Sequence, residues 1–309
     1  MGEIVRPAAH PSVYAARRRR LDLLPYVLVA PAIVAVLAIT VYPALVAVQL
    51  SLTDANFLRF AAAQPVGLAN YARTPSDEIF VGSLWRTARY VIVVGGSQMV
   101  LALLIALLLN GVFFGRAFIR GAIVIPWVVP AAVVAIIWRF MLDPNLGVLN
   151  DVMVQLRIIS AYVAWLADPV GSFGVLVVAS LWAGFPFFAV TLLAALQAIP
   201  AELYEASRVD GAGAWQRFAY ITFPLLLPTI LLLLLLRSIG LAHGVDLIFL
   251  MTGGGPGYDN YTLAVYSFIM MWRQFEIGYP AAIAVMLSVV LLLASMVYVR
   301  LIEHTREWL

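Results

Sequence analysis

The chain has 309 residues, 64% of them hydrophobic and 11% charged, with a mean hydropathy of +0.99. A water-solvated globule of that length lacks the polar surface such a composition would need, so a lipid bilayer is the expected solvent. The net charge of +3, with scattered arginines, excludes a nucleic-acid-binding stripe, and the lack of cysteine excludes disulfides and thiolate metal sites.

Residues 1–22 form a polar N-terminal tail that holds Arg17-Arg18-Arg19-Arg20, which the positive-inside rule places in the cytoplasm. Six apolar runs then reach the roughly 20 residues that a helix needs to cross the hydrocarbon core. They are Leu23–Leu50, Thr87–Leu109, Ala122–Met141, Phe173–Ile199, Leu225–Met251 and Pro280–Val299. The first is too long and too punctuated by Pro31 and Pro43 for a cleaved signal segment. Residues 23–300 therefore read as an all-α transmembrane domain, and an even number of crossings returns the tail 301–309 to the cytoplasm. The segments between the first two runs, and between the third and fourth, are long, face outward and can cap the domain toward a partner.

The fourth run carries SLWAGFPFF, Ser180 to Phe188, which is aromatic, rich in small residues and bent by Pro186. Sugars stack on aromatic rings, so Trp182, Phe185, Phe187 and Phe188 are candidates for that role; packing within the core is the commoner fate of such residues. Next comes a polar loop, 200–224, read as cytoplasmic. Pro200 starts a helix with Glu202 and Glu205 in its first turns, where the helix dipole favours carboxylates. Asp210-Gly211 stops it. A second piece with Trp215, Phe218 and Ala219 at helical spacing runs to Pro224, which closes it.

The fifth run holds Arg237, His243 and Asp246. An ionisable group at membrane depth costs at least about 2.5 kcal/mol, so each needs a partner or an aqueous path. On one continuous helix Arg237 and Asp246 are two and a half turns apart and face opposite ways. Arg237 either lines a path or pairs with a neighbouring helix. The glycines Gly253-Gly254-Gly255 and Pro256 end the run and start the reversal into the sixth. They are not a phosphate loop: that motif needs a lysine, and all nineteen basic residues here are arginine. His10, His243 and His304 are far apart in this topology, and no nucleophile, metal-ligand or cofactor-binding spacing emerges. On its own the chain reads as neither an enzyme nor a cofactor protein.

Two passages carry a family resemblance. Glu205-Ala206-Ser207, Asp210-Gly211-Ala212 and Ile221-Thr222-Phe223-Pro224 resemble the cytoplasmic signature of permease subunits in binding-protein-dependent ABC importers, with Ser207 and Phe223 as departures. Asp246 to Pro256, DLIFLMTGGGP, is similar to the end of the fifth core span in the carbohydrate branch, as are VGLANY (Val66–Tyr71) and IPWVVPA (Ile125–Ala131). That branch includes the larger maltose-transporter permease and the first glycerol-phosphate permease.

The resemblance implies a six-helix type I importer core in the bacterial inner membrane. It also implies a second permease, an ATPase dimer that docks on Glu205, Ala206, Ser207, Asp210 and Gly211, and an extracytoplasmic binding protein that delivers a sugar or sugar-like solute. Counted without gaps from Glu205, the sugar-contacting positions of the maltose type fall on Ser180, Gly184, Phe187, Arg237, Gly240 and Leu241. Several identities differ there, so the place of the site carries over and the sugar does not. The alternative from another class is an ion-coupled secondary transporter using Asp246 and His243 as proton groups, although the repeated halves common in such proteins are missing. A membrane scaffold without transport would leave Arg237 unexplained.

Overall fold

The computed structural model describes residues 24–307; the tail expected at 1–22, with His10 and the Arg17–Arg20 run, lies outside the described residues. Among the described residues every regular element is helical, and isolated bridges occur only between Thr53 and Pro65 and between Asn56 and Glu276.

The chain divides into two units, Met1–Val46 and Ala47–Leu309. The described part of the first is helical. An α-helix, Leu24–Val36, widens into a π-helical turn, Leu37–Val41, and a further helix, Tyr42–Ser51, begins before the boundary. Pro43 has no N–H to continue the ladder, and the turn ahead of it absorbs the gap, with Tyr42 N donating to Leu37 O. Its Leu28, Ile33 and Ile39 are exposed, as suits side chains solvated by lipid.

The second unit holds four continuous helices long and apolar enough to cross a bilayer: Glu78–Asn110, Pro169–Gln197, Ala214–His243 and Gly278–Thr305. They are the second, fourth, fifth and sixth spans. The third is broken into Arg116–Val128 and Ala131–Met141, bent by 95°. The break has a local cause. Val129 precedes Pro130 and is pushed into extended backbone (φ −72, ψ 125), and Pro130 has no N–H to give.

The fifth span differs from its sequence reading at both ends. Pro224 does not close the preceding piece, because the helix from Ala214 runs through it. The turn Phe218–Thr222 is π-helical, with Phe223 N donating to Phe218 O, and this wider turn accommodates a proline that cannot donate. At the other end the helix stops at His243 rather than Met251. Gly244 is extended (φ −68, ψ 118), and a separate helix, Asp246–Thr252, follows. The glycine run after it does not lead straight into the sixth span either. An 11-residue apolar helix, Leu263–Arg273, intervenes, capped by Thr262 and too short to cross. The last helix continues to Glu307, past the expected boundary at 300.

Helices in lipid associate by close packing and hydrogen bonding, since lipid tails are as apolar as the side chains they replace. The second and fourth spans make the most extensive helix pair, and the fully buried Ala102, Ala106, Ala179 and Ala189 let them approach. The interior has two apolar clusters. One joins Met99, Ala106, Leu192, Leu193, Leu226 and Ile230. The other joins Val94, Leu176, Ala179, Leu241, Ile248 and Ile283. Along three helices the clusters are separated by polar or glycine positions: Gln98 on the second span, Ser180 to Gly184 on the fourth, and Arg237 to Gly240 on the fifth.

Asp77 fastens one end of this unit. Its Oδ1 accepts from the N–H groups of Ile79 and Phe80 at 3.0 and 3.1 Å, capping the second span. Its Oδ2 accepts from the hydroxyls of Tyr266 and Tyr279 at 2.7 Å each. Burial pushes the carboxyl pKa up, but those four hydrogen bonds outweigh it and hold the group below its ordinary 3.8. A depressed folded-state pKa contributes stability that is present above the ordinary value and lost as pH falls through the folded one. Asp77→Ala should therefore destabilise by about 1–3 kcal/mol at neutral pH, through the lost cap and two stranded hydroxyls. Thermal unfolding in detergent from pH 7 to pH 3 should show the gap to the parent narrowing below 3.8. A gap independent of pH would contradict this account.

Candidate functional site

A cavity of about 270 Å³ opens where the two apolar clusters separate. The third span contributes Trp127, Ala131 and Val134, and the fourth contributes Ser180, Gly184, Phe187 and Phe188. The fifth supplies Arg237, Gly240 and Leu241, and Asp246 follows beyond the break. The six expected positions, Ser180, Gly184, Phe187, Arg237, Gly240 and Leu241, thus all line this cavity.

Their chemical situations differ. Ser180 is buried, and its hydroxyl is engaged with the Tyr90 hydroxyl at 2.7 Å. Its carbonyl accepts from Gln98 Nε2. Phe187 lines the cavity, its ring stacked on that of Trp127 at 5.4 Å and in an edge arrangement with Phe188 at 5.4 Å. Arg237 donates from Nε to Gln98 Oε1 at 2.6 Å. Leu241 is a buried apolar wall, and Gly240 leaves open space above the helix.

Two expectations are corrected here. Trp182 and Phe185 do not line the cavity: Trp182 packs edge-on against Trp138 at 6.3 Å, and Phe185 packs into the apolar cluster around Leu192. Arg237 and Asp246 do not face opposite ways, because the break at Gly244 and Val245 re-aims the following helix and brings both to the same cavity. His243 is exposed, its Nδ1 lying 3.2 Å from Ile239 O, and it does not line the cavity.

Sequence reasoning missed Tyr90, Gln98 and Trp127 as cavity residues or their supports. Gln98 had a signal: it is a lone amide inside an apolar span, and such a group must find partners. Tyr90 and Trp127 had none that separates them from interfacial aromatics.

The loop between the fourth and fifth spans presents a second surface. The helix Ala201–Val209 ends in a Schellman turn, with Gly211 N donating to Arg208 O at 3.1 Å and Ala212 N to Ser207 O at 2.9 Å. Gly211 adopts φ +77, which a side chain would strain. Glu205, Ala206 and Asp210 are exposed, Leu203 and Val209 are exposed beside them, and Ser207 is partly covered, its hydroxyl donating to Tyr204 O at 2.9 Å. Among the described residues no hydrogen bond or ion pair engages the Glu205 carboxylate. The Tyr204 hydroxyl meets the Thr222 hydroxyl at 2.9 Å and so ties the loop helix to the start of the fifth span.

Residues 98–307 match the family described as binding-protein-dependent transport system inner membrane component. The chain belongs to that family. The permease is 34% identical over 284 residues to the trehalose/maltose transport system permease protein MalF of Thermococcus litoralis, a match covering 91% of this chain and 94% of that protein. It is 33% identical over 281 residues to the sulfoquinovosyl glycerol transport system permease protein SmoG of Agrobacterium fabrum, covering 91% of each. Among solved structures, a chain of a bacterial ABC transporter involved in the import of the acidic polysaccharide alginate superposes with a TM-score of 0.77. That match has 23% identity and covers 92% of this chain and 96% of the other. The permease therefore has the type I ABC importer fold, as a multi-pass membrane protein. Neither the family match nor the exposed His243 supports ion-coupled transport by Asp246 and His243.

Proposed function

We propose that the permease forms half of the translocation path of an ATP-driven importer for a carbohydrate or sugar-derived solute. The observation that carries this reading is the cavity itself. It combines the partly exposed Phe187 and Trp127 rings with the guanidinium of Arg237 and the backbone space of Gly240, a combination suited to packing against and hydrogen-bonding a polyhydroxylated ring. The names of the two relatives above, one for trehalose and maltose and one for sulfoquinovosyl glycerol, support the same solute class.

In this reading a second permease supplies the other half of the path, and an extracytoplasmic binding protein delivers the solute. An ATPase pair docks on the exposed helix around Glu205, which puts that loop and both termini in the cytoplasm and the protein in the inner membrane. The hydrolytic engine is a separate chain, because a sequence without lysine has no residue to serve as the phosphate-loop lysine.

Reconstitution tests this. The purified chain should hydrolyse no ATP. Proteoliposomes holding it with the second permease and the ATPase pair should take up solute only when the binding protein is present outside. ATP turnover by the isolated chain, with contaminants excluded, or uptake without the ATPase would overturn the proposal.

A further inference from the structure

Arg237 shares a helix face with Gly240, three residues on. Its Nε–H is held by Gln98 Oε1 at 2.6 Å, and the same amide donates through Nε2 to Ser180 O on the fourth span. Gln98 is fully buried with both ends of its amide engaged, so turning it would break bonds that no water replaces. A partner at Nε leaves the Nη1–Nη2 end of the guanidinium, beyond Cζ, outside that hydrogen bond. Among the described residues no hydrogen bond or ion pair engages either nitrogen. Gly184 leaves the room this requires: a Cβ there would collide with Gln98 Nε2 and stand 2.9 Å from Arg237 Nη2.

We infer that Gln98 and Gly184 are positioning residues that seat the Arg237 guanidinium with its two terminal nitrogens toward the cavity. This rests on the reading of the cavity as the solute path. A guanidinium presented in that way is a rigid fork, and it fits a solute that offers two adjacent acceptor oxygens, from neighbouring ring hydroxyls or from an acidic group. Gln98 and Gly184 need not touch that solute. They act by fixing the fork's direction.

The sequence contains no cysteine, so one reporter thiol can be added to this chain without background. Gly240→Cys is suitable because a Cβ there meets nothing within 4 Å. In the assembled transporter, with partner cysteines replaced, the reporter is labelled separately by anionic methanethiosulfonate ethylsulfonate and by its cationic trimethylammonium analogue. A guanidinium facing the cavity favours the anionic reagent. Arg237→Ala should lower the anionic-to-cationic rate ratio by on the order of tenfold. Gln98→Leu and Gly184→Ala should each lower it severalfold in the Arg237 background and not at all once Arg237 is alanine.

A ratio unchanged by both variants overturns the inference. So does an equal fall with and without Arg237, since the effect would then not pass through the guanidinium. Should Gln98→Leu fail to assemble, Gly184→Ala decides by the same rule. The rates are read without solute. Normal uptake by Arg237→Ala would count against the proposed function and leave this positioning role standing, while an unmoved ratio with impaired uptake would do the reverse.

Discussion

Arg237→Ala is expected to reduce solute uptake by about 10–100-fold, the range that corresponds to losing charge-assisted hydrogen bonds worth roughly 1.5–3 kcal/mol. The reason lies in the two edges of one side chain. Through Nε it holds Gln98 across the interface of the second and fifth spans, and through its far edge it faces the cavity. Cavity lining and interhelical pairing, the two roles set against each other in the sequence reading, thus coexist in one side chain.

They separate experimentally. Loss of the Nε bond leaves Gln98 Oε1 buried without its partner, a cost of about 1–3 kcal/mol that shows in the yield of assembled complex. Combining Arg237→Ala with Gln98→Leu removes both partners and should restore the yield, while uptake stays low. Phe187→Ala on the facing span removes the stacking surface, and its effect should be non-additive with Arg237→Ala if one solute touches both. Normal uptake at normal yield for Arg237→Ala would remove the residue from the path and from the interface alike.

Why these positions were legible before any coordinates is a matter of spacing and cost. A charged group in an apolar run needs a reason to be there, which singles out Arg237, and a loop signature fixes the register of the flanking spans. Ser180, Gly184, Phe187, Gly240 and Leu241 come only from the resemblance, as the sugar-contacting positions of the maltose type counted without gaps from Glu205. Counting turns along a single helix, which set Arg237 and Asp246 apart, failed where the helix stopped being one. Asp246 was placed on the wrong side because Gly244 and Val245 interrupt the helix, and nothing local distinguishes that glycine from Gly240, which the helix tolerates. The bend at Pro130 was likewise compatible with a straight or a broken third span. Trp182 and Phe185 looked as suitable as Phe187 because composition carries no direction. The Asp77 hub was invisible, since two of its donors, Tyr266 and Tyr279, are 189 and 202 residues away in sequence.

The loop at Ala201–Val209 carries the other large expected effect. Gly211→Val places a β-branched side chain at φ +77, where the Schellman turn requires a left-handed residue, at a cost of order 1–3 kcal/mol. Glu205→Lys reverses the charge of an exposed carboxylate that has no hydrogen-bond or ion-pair partner among the described residues and so is free to meet a basic groove. Both variants should lower uptake by tenfold or more while the binding protein still reaches the transporter. The reach of the effect follows from the connection: Tyr204 joins the loop helix to Thr222, and the helix that contains Thr222 continues unbroken to Arg237 and on to His243. That hydrogen bond and that helix give a shift of the loop helix a continuous route to the cavity. Measuring ATP hydrolysis and uptake in the same proteoliposomes separates lost docking, in which both fall, from lost coupling, in which hydrolysis persists without transport. Tyr204→Phe, which cuts only the hydroxyl link to Thr222, should give the second pattern and not the first. If Glu205→Lys and Gly211→Val both transport at the parent rate, force enters the permease elsewhere, and the exposed face of Leu203 and Val209 would no longer have an ATPase to meet.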